Sequence, residues 1–230
     1  MRLGSATTAE GGRIELRRLQ SCFALYVDDQ ILMSTEGHGS EIAMAAFGLP
    51  EADSRKRVLV GGLGLGYTLR AVLDAISGDS DVDCVELLAP LERWHREGPL
   101  GAIAGRPLDD PRVTLHIDDV TEFIAHCHDG TFDAILLDID NGPFALTATT
   151  NHDLYQPEGL ARLFELLRPS GHVVVWSAEG DSAFCQRMHD AGFSVSTEHV
   201  SAWADDEEPK CDAMHALFVG RRPDLGEIRL

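Results

Sequence analysis

Short apolar runs, separated by stretches in which apolar residues recur every three or four positions, fill the chain from Arg57 onward. The runs "RVLVGG", "DVDCVEL", "RVTLHI", "FDAILLDID" and "GHVVVWSA" read as five strands, each apolar almost throughout, as in strands buried on both faces. Between them, Leu69, Val72, Leu73 and Ile76 fall on one face of a helix, and Leu160, Leu163, Phe164 and Leu167 on one face of another, which Pro169 and Gly171 are expected to end. Strands alternating with helices predict a parallel sheet covered on both sides. After a short helix over Ser182 to Ala191, "FSVSTEHVSAW" and "DAMHALFVGRR" read as two further strands joined by the acidic "ADDEEPKC", which makes seven strands with a closing hairpin. The pattern differs before residue 50. There "GRIELRRL", "CFALYVDD" and "QILMST" read as three short strands with hairpin breaks, followed by a helix in "SEIAMAAFGL". Residues 1–50 are therefore expected to form a small β-hairpin appendage, and residues 51–230 the main α/β domain.

Composition narrows the partners. With 230 residues and 44% hydrophobic content the chain can bury one substantial core. Its 19 basic against 38 acidic residues give a formal charge of -19, which repels phosphate backbones and anionic lipid, so neither nucleic acid nor a membrane is an expected partner. The same acidity suits a cationic small molecule, although plain solubility also accounts for it. Five scattered cysteines without a C-x-x-C pair argue against a disulfide framework or a zinc site, and point to a reducing cytoplasm. "MRLGSATTAEGGR" lacks the apolar core of a signal peptide, and no apolar run approaches the roughly 20 residues of a bilayer span. His126 and His128 in "HCH" point in different directions on a helix end, so no metal is assigned.

Candidate chemistry gathers at the strand ends. Gly62, Gly64 and Gly66 form G-x-G-x-G between a strand and a helix, where absent side chains let the backbone turn and approach a ligand closely. The dinucleotide fingerprint is G-x-G-x-x-G, and here the third glycine comes one residue early, which favours a ligand lying across the loop. A tight turn that binds nothing is the alternative. Glu86 ends the next strand, where a carboxylate can accept from both ribose hydroxyls of a nucleoside. Asp118 and Asp119 follow the third strand. One can cap the next helix and the other can accept from an adenine amino group, with Asp119 assigned to adenine. The fourth strand delivers Asp138 and Asp140, followed by Asn141, Gly142 and Pro143. A carboxylate there can take a proton from an attacking amine and offset its developing charge. Trp203, His199 and His215 are candidates for an acceptor pocket, with core packing as the alternative.

Taken in order, "VLVGGLGLGYTLRAVL", "VDCVEL", "DPRVTLHIDD", "FDAILLDIDNGP" and "GLARLFELLRPSGHVVV" resemble the spermidine synthase family, the polyamine aminopropyltransferases, on the Rossmann-like class I AdoMet-dependent methyltransferase fold. The resemblance covers about residues 21 to 177. It implies S-adenosylmethionine or its decarboxylated form as co-substrate, with Gly62, Gly64 and Gly66 on the donor's tail, Glu86 on the ribose, Asp119 on the adenine and Asp138 as proton acceptor. It also implies a small acceptor, a cationic amine in the family, and a homodimer. The departures touch specificity. The family's loop aspartate is Leu65 here and a further glycine is Tyr67. Its glutamine in the preceding strand is Leu32, and its Tyr-His-Glu becomes "HGSE" with Glu41 retained. Its D-x-x-D-P loop is one residue shorter. Glu41, Tyr67 and Asn141 are accordingly the acceptor-side candidates. Loss of the loop aspartate removes the partner of the decarboxylated donor's ammonium, so methyl transfer is the expected reaction. An aminopropyltransferase is the first alternative and a non-catalytic nucleoside-binding protein the second.

Overall fold

The computed structural model describes residues 1–7, 11–20, 22–50, 55–139, 151–204, 207–209 and 211–224. The N-terminal strands β1 (Arg2–Thr7), β2 (Arg13–Arg18), β3 (Phe23–Val27) and β4 (Gln30–Ser34) form an antiparallel sheet in sequential order, followed by helix α1 (Gly39–Gly48). The main sheet contains β5 (Arg57–Gly61), β6 (Asp81–Glu86), β7 (Val113–Ile117), β8 (Phe132–Leu137), β9 (Leu167–Ser177), β10 (Ser194–Ser201) and β11 (Met214–Arg221). Its helices are α2 (Tyr67–Ala75), α3 (Ala89–Arg96), α4 (Leu100–Ile103), α5 (Val120–Ala125), α6 (Asn151–Leu154), α7 (Pro157–Leu166) and α8 (Ser182–Asp190). Strand order is β10-β11-β9-β8-β5-β6-β7, parallel except that β11 runs antiparallel to both neighbours. This is the α/β sheet with a closing hairpin that the alternation predicts.

Period-two alternation sorts the strand residues onto two cores. Val58, Val60, Ala134, Leu136 and Val174 join one buried cluster with α1, α2 and the N-terminal residues Ile14, Leu16 and Leu25. Leu59, Ile135, Leu137, Val173 and Val175 join the other, against α5, α7 and α8. The central strands β5, β8 and β9 are largely apolar because each faces a packed layer on both sides.

Two expectations need correction. The appendage is a four-stranded sheet rather than a short hairpin, because β1 pairs with β2. Its sequence RLGSAT shows no apolar alternation, since as an edge strand it is held by main-chain hydrogen bonds and stays largely exposed. The helix bearing Leu160 ends at Leu166, before Pro169 and Gly171, and Leu167 is already in β9. Phe132 pairs with Leu167 but Ala134 with His172, so residues 168–171 bulge. Ser170 there takes φ +64° and the bulge is tied by Ser170 N–H to Arg222 O at 2.9 Å and Arg222 N–H to Gly171 O at 2.8 Å. Ile76 lies just past α2 but is buried as expected.

Because Leu16 shares a core with Val58 and Val60, truncation to alanine should act on the whole molecule. Leu16→Ala is expected to lower unfolding free energy by about 2–5 kcal/mol, while urea unfolding followed by circular dichroism and by tryptophan fluorescence stays one coincident transition.

Candidate functional site

The carboxyl ends of β5, β6 and β8 meet at one point, fixed by backbone bonds that cross from strand to loop. Gly62 N–H donates to Val85 O at 2.8 Å, and Asp138 N–H donates to Gly61 O at 2.9 Å. Gly62 takes φ +91°, and a Cβ there would overlap the carbonyl of Asp138. Gly64 and Gly66 also have positive φ. The space beside the loop is used by the protein itself: a Cβ on Gly64 would lie 2.7 Å from Met33 Sδ of β4, and one on Gly66 would press on His95, Pro107 and Ala104. The glycines are required by the turn and by close packing, which the sequence signal could not separate from ligand approach.

Glu86 is buried at the end of β6 and turns toward the loop. Its Oε2 accepts from the N–H groups of Leu63 (2.8 Å) and Gly64 (3.3 Å), and its Oε1 accepts from Leu88 N–H at 2.7 Å. Burial raises its pKa despite these bonds. Three of the four acceptor sites of the carboxylate are thus used, two of them in holding the glycine loop. His95 of α3, to which no motif in the sequence points, supports the same loop from the other side. Its Nε2 lies 2.9 Å from Gly64 O, its Nδ1 is buried without a hydrogen-bond partner among the described residues, and burial lowers its pKa.

Asp119 is the cap of α5, accepting from Thr121 N–H at 2.7 Å, and Asp118 Oδ1 accepts from Asp119 N–H at 2.9 Å. The cap alternative therefore falls on Asp119, the residue assigned to adenine, and Asp118 is the more exposed of the pair's carboxylates at this strand end.

A second group of residues forms an acidic cluster. Asp138 accepts from Thr68 Oγ at 2.6 Å, and burial raises its pKa. Glu41 of α1 has its pKa raised to about 8 by burial and by the negative charge of Asp138. The two carboxyls lie inward and titrate as a pair, although part of each residue's surface stays accessible. Tyr67 opens α2 and stacks on His38 with ring centroids 4.2 Å apart and planes 13° from parallel. Burial, Glu207 and Glu41 push its hydroxyl up to about 12. Glu207, in the connection between β10 and β11, accepts from the N–H groups of Gly37 (3.0 Å), His38 (3.4 Å) and Ala204 (2.9 Å), and lies 3.3 Å from His38 Nδ1. These partners outweigh its burial and lower its pKa. In the sequence Glu207 was only one member of a polar connector. Asp140 and Asn141 lie outside the described residues. Of the aromatic candidates, His215 reaches Ser40 at the edge of this cluster, whereas Trp203 donates from Nε1 to Cys211 O at 2.9 Å.

The structure thus brings Gly62, Gly64, Gly66, Glu86 and Asp138 to one place, and adds Glu41 and Tyr67 from α1 and α2. It can hold a nucleoside-like group at the strand ends and a cation beside the acid pair. A spermidine synthase from Thermotoga maritima superposes with a TM-score of 0.73 over 96% of this chain and 72% of that one, at 16% identity. The chain has the spermidine synthase fold. In sequence it is similar to polyamine aminopropyltransferase 2 of Caldanaerobacter subterraneus subsp. tengcongensis, 32% identical over 149 residues, or 61% of this chain and 43% of that protein. The match thus spans less than half of the relative's length. A Burkholderia thailandensis 1,6-didemethyltoxoflavin-N1-methyltransferase, solved with S-adenosylhomocysteine, superposes less well, with a TM-score of 0.54 at 19% identity over 80% of this chain and 79% of that one. No family model matches the chain.

Two measurements check this geometry. Asp119→Ala should cost about 1 kcal/mol of stability and Asp119→Asn should restore most of it, since asparagine caps equally well; urea denaturation reads both. Glu41 ordinarily titrates at 4.5 but in the fold at about 8, so between these values the native state keeps a proton that the unfolded chain has lost. Stability must then fall as pH rises through that window and level off above it. Glu41→Gln is expected to flatten this decline and to exceed the parent protein at pH 9 by on the order of a few kcal/mol, measured by denaturation across pH.

Proposed function

We propose that the chain is a transferase that moves an aminopropyl group from decarboxylated S-adenosylmethionine to a small amine. The observation that carries this reading is the acid pair Glu41 and Asp138, with Glu207 adding negative charge to Glu41. Two recessed carboxyls that repel one another are relieved by a cation. Decarboxylated S-adenosylmethionine carries an ammonium with no neighbouring carboxylate, and a polyamine precursor carries ammonium groups as well, so both substrates match the charge of the site. The donor with its carboxylate intact does not. The aminopropyltransferase relative and the better superposition on the spermidine synthase support the same choice.

Methyl transfer, expected from the loss of the loop aspartate, is the second reading. Leu65 is buried at 2% exposure in the apolar core, so the loop supplies no charge there. On the present proposal Glu41 and Asp138 supply that charge instead. Gly62, Gly64 and Gly66 shape the donor cleft, the remaining acceptor site of Glu86 takes the ribose, and Asp118 takes the adenine amino group, with Asp119 kept for the cap. Asp138 accepts the proton as the amine nitrogen attacks the carbon beside the sulfonium; the N–C bond forms, the C–S bond breaks and a neutral thioether leaves. The donor's own charge drives the step, so the protein's contribution is alignment and charge placement. Asp140 and Asn141 are proposed to complete the acceptor loop.

Incubation with putrescine and either donor, followed by mass analysis, tests the proposal. A product heavier by an aminopropyl group is expected. A methyl gain selects the second reading, and stabilisation by donor without any product selects a binding protein. Asp138→Asn is expected to lower turnover by about 10²–10⁴-fold and, by removing one charge of the pair, to weaken donor binding as well.

A further inference from the structure

Ser40 sits at the start of α1, 0% exposed, at the meeting point of three side chains. Its Oγ lies 2.6 Å from Glu41 Oε2, 3.1 Å from Trp176 Nε1 and 2.9 Å from His215 Nδ1. Trp176 on β9 stands opposite Leu217 of β11, two residues from His215, so both rings leave the same face of the sheet. The rings pack edge to face with centroids 4.8 Å apart.

A hydroxyl has one proton to give and two lone pairs to receive. The indole N–H can only donate, so it takes one lone pair. When His215 carries its proton on Nδ1 it takes the other, and the serine proton is left with Glu41 as its acceptor. When Nδ1 is bare, His215 competes for that proton and a protonated Glu41 can donate to Ser40 in turn. One hydroxyl therefore links the tautomer of His215 to the charge on Glu41. We infer that Ser40, fixed by Trp176 and His215, is a positioning residue that aims its proton at Glu41 and favours the anionic form of that carboxylate, the form that receives a cation. A hydroxyl donating to a carboxylate is a short, charge-assisted bond, as the 2.6 Å separation is.

Apart from a backbone N–H bond, the charged and titratable groups around Glu41 work against its ionisation. Asp138 beyond β8 and Glu207 between β10 and β11 are both acids, and Glu207 is occupied with His38. Tyr67 on α2 is a half-buried phenol whose own ionisation Glu41 opposes. His215 on β11 is held toward its neutral form by burial, which leaves the tautomer as its variable. This inference rests on the proposed role of the acid pair in taking up a cation, but it can be measured without substrate.

The experiment is a titration of Glu41 in the ligand-free full chain, by NMR of carboxyl-labelled glutamate, with the resonance assigned through Glu41→Gln. Ser40→Ala is expected to raise the midpoint by about one unit or more, the loss of one hydrogen bond to a charged group. Ser40→Thr, which keeps the hydroxyl, should return it to within a few tenths. His215→Phe should raise it partway, and it reads the same linkage if Ser40→Ala fails to fold. In an active preparation the acidic limb of kcat/KM should move by the same interval. An unmoved midpoint in folded Ser40→Ala or His215→Phe, or Ser40→Thr titrating like the alanine variant, overturns the inference. A protein inactive with every amine, yet showing these shifts, would instead overturn the functional reading alone.

Discussion

The site depends on how closely β5 and β8 approach where they end. The carbonyl of Asp138 occupies the space that a side chain at position 62 would need, so the glycine loop and the fourth-strand carboxylate form one rigid unit. Gly62 N–H reaches across to β6, and Glu86 at the tip of β6 gathers two N–H groups of the same loop. Three strand ends are thereby locked in register before any ligand arrives. Pre-organisation of this kind suits a reaction in which the donor carries its own driving force and the protein must fix distances.

Upon that frame α1 and α2 carry the charge. Thr68 lies one residue into α2 and fixes Asp138, while Glu41 lies in the first turns of α1. The connection between β10 and β11 holds α1 in place. Gly39 N–H donates to Ala202 O at 2.9 Å, and Glu207 binds the N–H groups of Gly37 and His38. A carboxylate beside unsatisfied N–H groups at a helix start is stabilised there, which is why Glu207 keeps its charge while Glu41 is pressed toward neutrality. Two glutamates in the same neighbourhood thus differ in their protonation through their partners.

Much of the fold was legible in the sequence for a physical reason. A parallel sheet covered on both faces writes continuous apolar runs, and strands such as "VLVGG" and "FDAILL" carry that signature without help from distant residues. The elements missed were those whose stability comes from elsewhere. β1 is an edge strand held by main-chain bonds, and the bulge at residues 168–171 depends on Arg222 more than fifty residues away. At the site, Gly62, Glu86 and Asp138 could be found because each stands beside a strand end. Ser40, His95 and Glu207 could not, since their meaning lies in partners 31 to 175 positions distant. Asp119 shows the limit most clearly: a cap and an adenine contact ask for the same residue in the same place, and only the 2.7 Å bond to Thr121 N–H shows the cap.

The resolution of Leu65 follows from the same distinction between a residue and its surroundings. A leucine in place of an aspartate reads as lost charge if the loop is considered alone. In the fold its side chain is part of the apolar core, and the acids that act on one another are Glu41 and Asp138. A cation bound beside that pair relieves both the burial of the carboxyls and their mutual repulsion, whereas an isolated loop aspartate offers only attraction to set against its own desolvation. On the proposed reading, a cation site that rests on this pair alone depends on pH, because only the ionised carboxyls attract. The polarity of the cleft is set by α1 and its neighbours, and the glycine loop is left to set its shape.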